Sequence, residues 1–174
     1  MLKGVVVATG DMFIKIEGGR MGPIKGESAD LTHPDEIQIK SWTWGMRGNA
    51  SATVSAAGKA GSNQVSINEL VFTKAVDSAT TGLMSALRSN ETIKKAVLTV
   101  RKAGGTSPVE YLKITLEKAR ICSVDLRASD AEVQQVVEEV SIGFQKISVE
   151  YMPQDGSGGK RGANSFETDI SPGF

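Results

Sequence analysis

Residues Ala96 to Leu116 read AVLTVRKAGGTSPVEYLKITL, two runs of strand-forming residues joined by a turn. Val97, Leu98, Thr99 and Val100 are aliphatic or β-branched, and beyond the turn Leu112, Ile114 and Leu116 alternate with Tyr111, Lys113, Thr115 and Glu117. A period of two over that length makes a strand with one buried face. Gly104 and Gly105 accept positive φ, and Pro108 fixes the exit angle while donating no hydrogen bond. The stretch is therefore a β-hairpin closed by a longer, glycine-containing loop.

Outward from the hairpin, strand patterns dominate. Met12 to Glu17 (MFIKIE) places Met12, Ile14 and Ile16 on one face, and Gly18, Gly19, Gly22, Pro23 and Gly26 then interrupt any regular element. Glu36 to Trp44 (EIQIKSWTW) changes parity within itself: Ile37 and Ile39 share one face, Trp42 and Trp44 the other. Either a bulge near Lys40 and Ser41 flips the strand, or both faces are covered, the second by another subunit. As a default, two tryptophans two apart are core residues. Val65 to Thr73 resumes strand character, with Leu70 and Phe72 on one face and Val65, Ile67 and Val71 on the other. One helix follows, with an N-cap oxygen from Asp77 or Ser78, a stripe of Leu83, Met84 and Leu87, and an end at Ser89 and Asn90. Such a lone helix plugs the open end of a barrel or sandwich.

Beyond the hairpin, Ala119 to Leu126 reads as a separate strand and Arg127 to Gln135 as a polar turn. Val140, Ile142 and Phe144 then oppose Ile147, Val149 and Tyr151 in parity, so a long strand breaks at Gln145 and Lys146 and serves two sheets or curves around a barrel. Pro153 to Gly162 is a Gly/Ser/Lys/Arg linker, and Phe166 and Ile170 mark a short last strand. No internal repeat is present. Met46 to Asn63 is rich in Gly, Ala and Ser, cannot bury itself, and reads as a mobile loop or as a ribbon packing on another chain.

With 174 residues the chain suits one domain, able to bury roughly 70% of its unfolded surface. Twenty basic residues balance twenty acidic ones, so no net field recruits nucleic acid or an acidic membrane. The apolar start, Leu2 and Val5 to Ala8, is too short for a leader or a membrane span before Asp11. The single Cys122 has no partner for a disulfide and reads as a small core residue of a chain that folds in a reducing compartment.

Chemistry is sparse. His33 is the single histidine, in a polar loop before Pro34, without the second histidine or CxxC pair that a zinc site or triad requires. Asp125, Asp130, Glu132, Glu138 and Glu139 lack tight ligand spacing and read as solvated charge. Gly58-Lys59 precedes Ala60 rather than Ser or Thr, which excludes a phosphate-binding loop. Arg101 and Lys102 have no interleaved aromatics for stacking bases. No catalytic, cofactor or metal residue is nominated.

An all-β domain of about eight to ten strands must close its sheets or manage their edges. Pairing edges around a symmetric ring leaves none open. The alternative is a small-ligand-binding β-barrel, monomeric or dimeric, with the helix over a cavity. A hydrolase using His33 and a serine has almost no support.

The stretches DMFIKIE at Asp11, IKGES at Ile24, HPDEIQIKSWTWGM at His33, LVFTKAVD at Leu70 and LTVRKAGGTSPVEYLKITL at Leu98 resemble the Hcp family, the haemolysin-coregulated proteins of bacterial type VI secretion. The likeness runs in order from Asp11 to Gln154. It implies an all-β, mainly antiparallel fold, a two-sheet barrel or sandwich with one flanking helix, assembled into a hexameric ring. It also implies stacked rings similar to a phage tail tube, expelled by a contractile sheath and baseplate with a VgrG-type spike at the tip. Small effectors would ride in the bore, without catalysis or cofactor, from the bacterial cytoplasm to the outside and without a cleaved signal peptide. Residues 1–11 would be an extension and residues 12–174 a single domain, with 46–63 its protruding loop and 153–164 a second loop. If Trp42 and Trp44 face the core, Thr43 faces the bore and contacts cargo. Ser51, Ala56, Ala57, Gly58 and Gly61 lie in the stretch that resembles the family's protruding loop, whose lack of bulk would let it lie on the adjacent ring or subunit. Gly18 to Pro23 resembles an insertion, which could alter stacking at one ring face.

Overall fold

The hairpin forms as its alternation predicts: β8 (Ile93–Lys102) and β9 (Val109–Ala128) run antiparallel, with Leu98 opposite Ile114 and Val100 opposite Leu112. In the computed structural model, residues 11–48, 65–102, 108–128, 135–153 and 162–170 are described, so the glycines of the turn lie outside. β1 (Met12–Gly18) pairs with the other side of β8, and β2 (Pro23–Ile24) and β3 (Ile37–Gln38) share the outer edge of β1. On the far side of β9 lie β11 (Lys146–Tyr151) and then β12 (Asn164–Asp169). This first sheet is ordered β2-β1-β8-β9-β11-β12. The second sheet takes the C-terminal half of β9, then β10 (Val136–Gly143), β7 (Leu70–Ala75) and β4 (Ser41–Thr43). A separate ribbon pairs β5 (Met46–Gly48) with β6 (Val65–Ile67).

β9 is one continuous strand of 20 residues, so Ala119 to Leu126 is its second half and not a strand of its own. Its buried residues switch from Ile114 and Leu116 to Ala119 and Ile121. The switch occurs at Lys118, which takes a left-handed φ of 49°. Its neighbour strand turns at the same step: β10 buries Val140 and Ile142, β11 buries Ile147, and between them the Gln145 amide donates to the Glu117 carbonyl at 3.2 Å. The break expected at Gln145 and Lys146 thus falls one residue earlier, at Phe144 and Gln145, and it separates two strands, β10 in the second sheet and β11 in the first, in place of the one bulged strand expected. A further irregularity pairs Ser141 with Ser123 but Ile142 with Ile121, leaving Cys122 as the extra residue of a β-bulge. Cys122 is consequently exposed rather than in the core.

Glu36 to Trp44 is two strands and not one. The Ile39 amide donates to the Met12 carbonyl of β1 at 3.0 Å, and the next amide, Lys40, donates to the Thr73 carbonyl of β7 at 2.7 Å. Adjacent residues therefore bond to different sheets, which explains the parity change: Ile37 and Ile39 are buried below the crossing, and Trp42 and Trp44 pack against the same core beyond it. The run from Val65 likewise divides, β6 belonging to the ribbon and β7 to the second sheet. The expected loop from Met46 begins as a strand, and 49–64 lie outside the described residues. The second expected loop ends earlier than residue 164, because Asn164 opens β12.

Helix α1 (Ala79–Arg88) buries Ala79, Thr80, Leu83 and Ala86; Met84 and Leu87, expected on the buried stripe, are 38% and 36% exposed. Asp77 supplies the oxygen for the Ala79 amide at 2.9 Å, and Asn90 at φ 53° ends the helix. α1 packs across β9 and β2. Ala79, Leu83 and Ala86 join Leu70, Phe72, Leu98, Ile114, Val140 and Ile142 in one hydrophobic cluster.

Candidate functional site

The second sheet carries two kinds of cross-strand row. Trp42 faces Phe72, which faces Val140, which faces Val124. Phe72 and Val140 are fully buried, so this row belongs to the core. Because successive residues of a strand point to opposite faces, the flanking rows turn away from it. One is Thr43, Val71, Ser141 and Ser123; the other is Ser41, Thr73, Glu139 and Asp125.

Thr43 is exposed, as expected between the two tryptophans. Its neighbours in the rows have no sequence signal of their own: Thr73 lies between Val71 and Ala75 in the alternation, and Ser141 between Glu139 and Gly143. Their hydroxyls meet across the strands, Ser41 with Thr73 at 2.6 Å and Ser123 with Ser141 at 2.8 Å. The result is rows of hydroxyl groups, exposed at Ser41 and Thr43 and buried at Ser141, with two carboxylates at one side. Beside Thr43 an open depression of about 590 Å³ is lined by Trp44, Met46, Arg47, Asn68 and Glu69 among others. The Trp44 indole Nε1 there is buried and has no hydrogen-bond partner among the described residues. Ser51, Ala56, Ala57, Gly58 and Gly61 lie outside the described residues; β5 and β6 are the two legs from which their segment departs.

The groups that could perform chemistry are occupied elsewhere. His33 is buried, not solvated, with Nδ1 at 2.9 Å from Glu36 Oε2 and Nε2 at 2.9 Å from Glu110 Oε1. Neither ring nitrogen is left to take a proton from a serine. Glu138, expected in solvent, is wholly buried against Lys74 at 2.8 Å, with the Thr80 hydroxyl donating to the same oxygen at 2.6 Å. Desolvation, reinforced by Glu69, pushes the Cys122 thiol up, away from the thiolate a nucleophile needs. Among the described residues no three His, Cys, Asp or Glu side chains are placed to hold a metal ion, and no helix is long and apolar enough to cross a membrane.

The rows present hydroxyls that can both donate and accept hydrogen bonds. The family model "Type VI secretion system effector, Hcp" matches residues 13–151. Protein hcp1 of Pseudomonas aeruginosa is 41% identical over 152 residues, spanning 87% of this chain and 89% of that one. The crystal structure of Hcp1 from Salmonella typhimurium superposes with a TM-score of 0.71 at 30% identity, covering 92% of this chain and 94% of that one. A type VI secretion system effector from Yersinia pestis gives the same TM-score at 29% identity, covering 92% and 100% of the two chains.

Proposed function

Because the chain belongs to the Hcp family of type VI secretion system effectors, we propose that six copies close into a ring and that rings stack into the tube which the secretion machine expels. The tube is structural: it carries small effectors in its bore and uses no cofactor, nucleic acid or membrane insertion. Its other partners are a VgrG-type spike at the tip and the contractile sheath and baseplate around it. It is made in the bacterial cytoplasm and leaves the cell without a cleaved leader. Thr43 and its hydroxyl row line the bore, and the segment containing Ser51, Ala56, Ala57, Gly58 and Gly61 mediates stacking.

One observation carries this reading. Within the described residues, the second sheet has two open edges: β4 bonds to β7 on one side alone, and residues 120–128 of β9 bond to β10 on one side alone. Unpaired edges recruit other strands, and a closed ring of identical subunits satisfies both at once. The ligand-barrel alternative is disfavoured, since the space between the sheets is taken by one contiguous cluster of buried side chains. Size-exclusion chromatography with light scattering is the test. A species of about six chain masses supports the ring; a monomer or dimer at every concentration overturns it.

A further inference from the structure

His33 sits where four segments meet. Its imidazole stacks on the Phe13 ring of β1, centroids 4.6 Å apart and planes 9° apart. The Arg101 guanidinium of β8 lies 4.7 Å from the same Phe13 centroid. The loop that carries His33 is braced from within: Asp30 Oδ1 accepts from the Thr32 and His33 amides at 2.9 and 3.2 Å. Arg101 donates to both Asp30 oxygens, at 3.1 and 2.6 Å, and to Asp11. That guanidinium, with Thr32, holds the Asp30 carboxyl well below the usual carboxylate range. The charged groups around the imidazole are thus Asp30 and Glu36 from its own loop, Glu110 from β9, Arg101 from β8 and Asp11 ahead of β1. Lys25 is engaged with Asp35 at 3.2 Å, and Lys102 lies over the Tyr111 ring.

Both ring nitrogens contact carboxylates, which accept hydrogen bonds and donate none. The imidazolium can donate to both. Neutral imidazole donates to one and turns a lone pair toward the other. The two contacts differ in what they join: Glu36 is three residues away in the same braced loop and 14% exposed, whereas Glu110 is the second residue of β9 and 31% exposed. Water can replace the imidazole at Glu110 far more readily than at Glu36.

We propose that His33 is a proton-operated clasp: doubly protonated, it ties the start of β9 to the 27–36 loop, and on losing a proton it keeps Glu36 and releases Glu110. The release is local, because Asp30 and Arg101 continue to hold the loop. The His33–Glu110 contact lies within one chain and needs no ring. With one histidine in the sequence, a single imidazole signal reports its titration.

The test is hydrogen–deuterium exchange of the full-length protein across the His33 titration followed by NMR, with rates corrected for intrinsic chemistry. Amides of 109–112 should exchange roughly ten-fold faster on the deprotonated side, while those of 27–33, 35 and 36 hold. Glu110→Gln should abolish the step with the fold retained, because its amide can accept from the imidazolium or donate to the neutral ring. His33→Gln should abolish it too. Equal protection on both sides of the titration, a step that persists in Glu110→Gln, or opening of 27–36 instead would overturn the proposal.

Discussion

Lys74 and Glu138 meet at 2.8 Å with neither side chain reaching water, and Asp77 approaches the same ammonium at 2.7 Å. Removing one member of such a pair strands the other charge. Lys74→Met should therefore cost about 3–5 kcal/mol in denaturant unfolding, whereas Lys74→Met with Glu138→Leu should recover most of the loss. Thr43 belongs to the opposite case, an exposed side chain whose replacement leaves packing alone. Thr43→Gln should give rings of unchanged mass but reduced co-purification of effector; retention equal to the parent protein would remove Thr43 from the bore wall. Alternation between two tryptophans is enough to expect Thr43 on the exposed face, where it lies. The strand expected from Val65 ends at Thr73, whereas Lys74 continues it, buried on the face of Leu70 and Phe72, with a partner 64 residues downstream that no local period supplies. His33 was unreadable for the same reason, since Glu110 lies 77 residues away.

Gly26 shows how tightly one element can depend on a missing side chain. A Cβ there would sit 2.5 Å from the Glu36 carbonyl oxygen and 2.7 Å from the Ile37 Cα, both backbone atoms leading into β3. The Gly26 amide also donates to the Asp35 carbonyl at 2.8 Å, so the two segments cannot part freely. Gly26→Ala should destabilise the fold by about 2 kcal/mol or more, read as a lowered melting temperature, with β3 the first pairing to loosen. The hairpin β8–β9, β1 and the break near Gln145 were all legible, because each is written in a local period. The crossing at Ile39 and Lys40 left a trace in the parity of EIQIKSWTW but not its cause, since a bulge and a change of sheet produce the same pattern. Likewise nothing in the run from Val109 to Ala128 announces that one strand continues past Lys118, a residue that is uncommon at positive φ.

At the scale of the whole molecule, acid should act through carboxylates that folding holds ionised. Backbone amides of Met21 and Arg20 lower the Glu91 carboxyl, and Arg101 lowers Asp30. Their contribution is complete above the ordinary carboxylate range, near about pH 4. Below it the unfolded chain takes up protons that the folded chain refuses, so stability falls with pH. Unfolding midpoints measured from pH 7 to pH 3 should decline, and Asp30→Asn should flatten that decline. Assembly is tested separately: deletion of Ala56 to Gly61 should preserve the subunit's circular dichroism and melting while abolishing tubes in electron micrographs, and normal tubes would exclude the segment from stacking. The twenty residues of β9 bind β8 and β11 in one sheet and β10 in the other. Force applied along β9 would thus be borne as shear across many ladder bonds in parallel, so a subunit of this design should resist being torn open better than one whose sheets were joined by a loop.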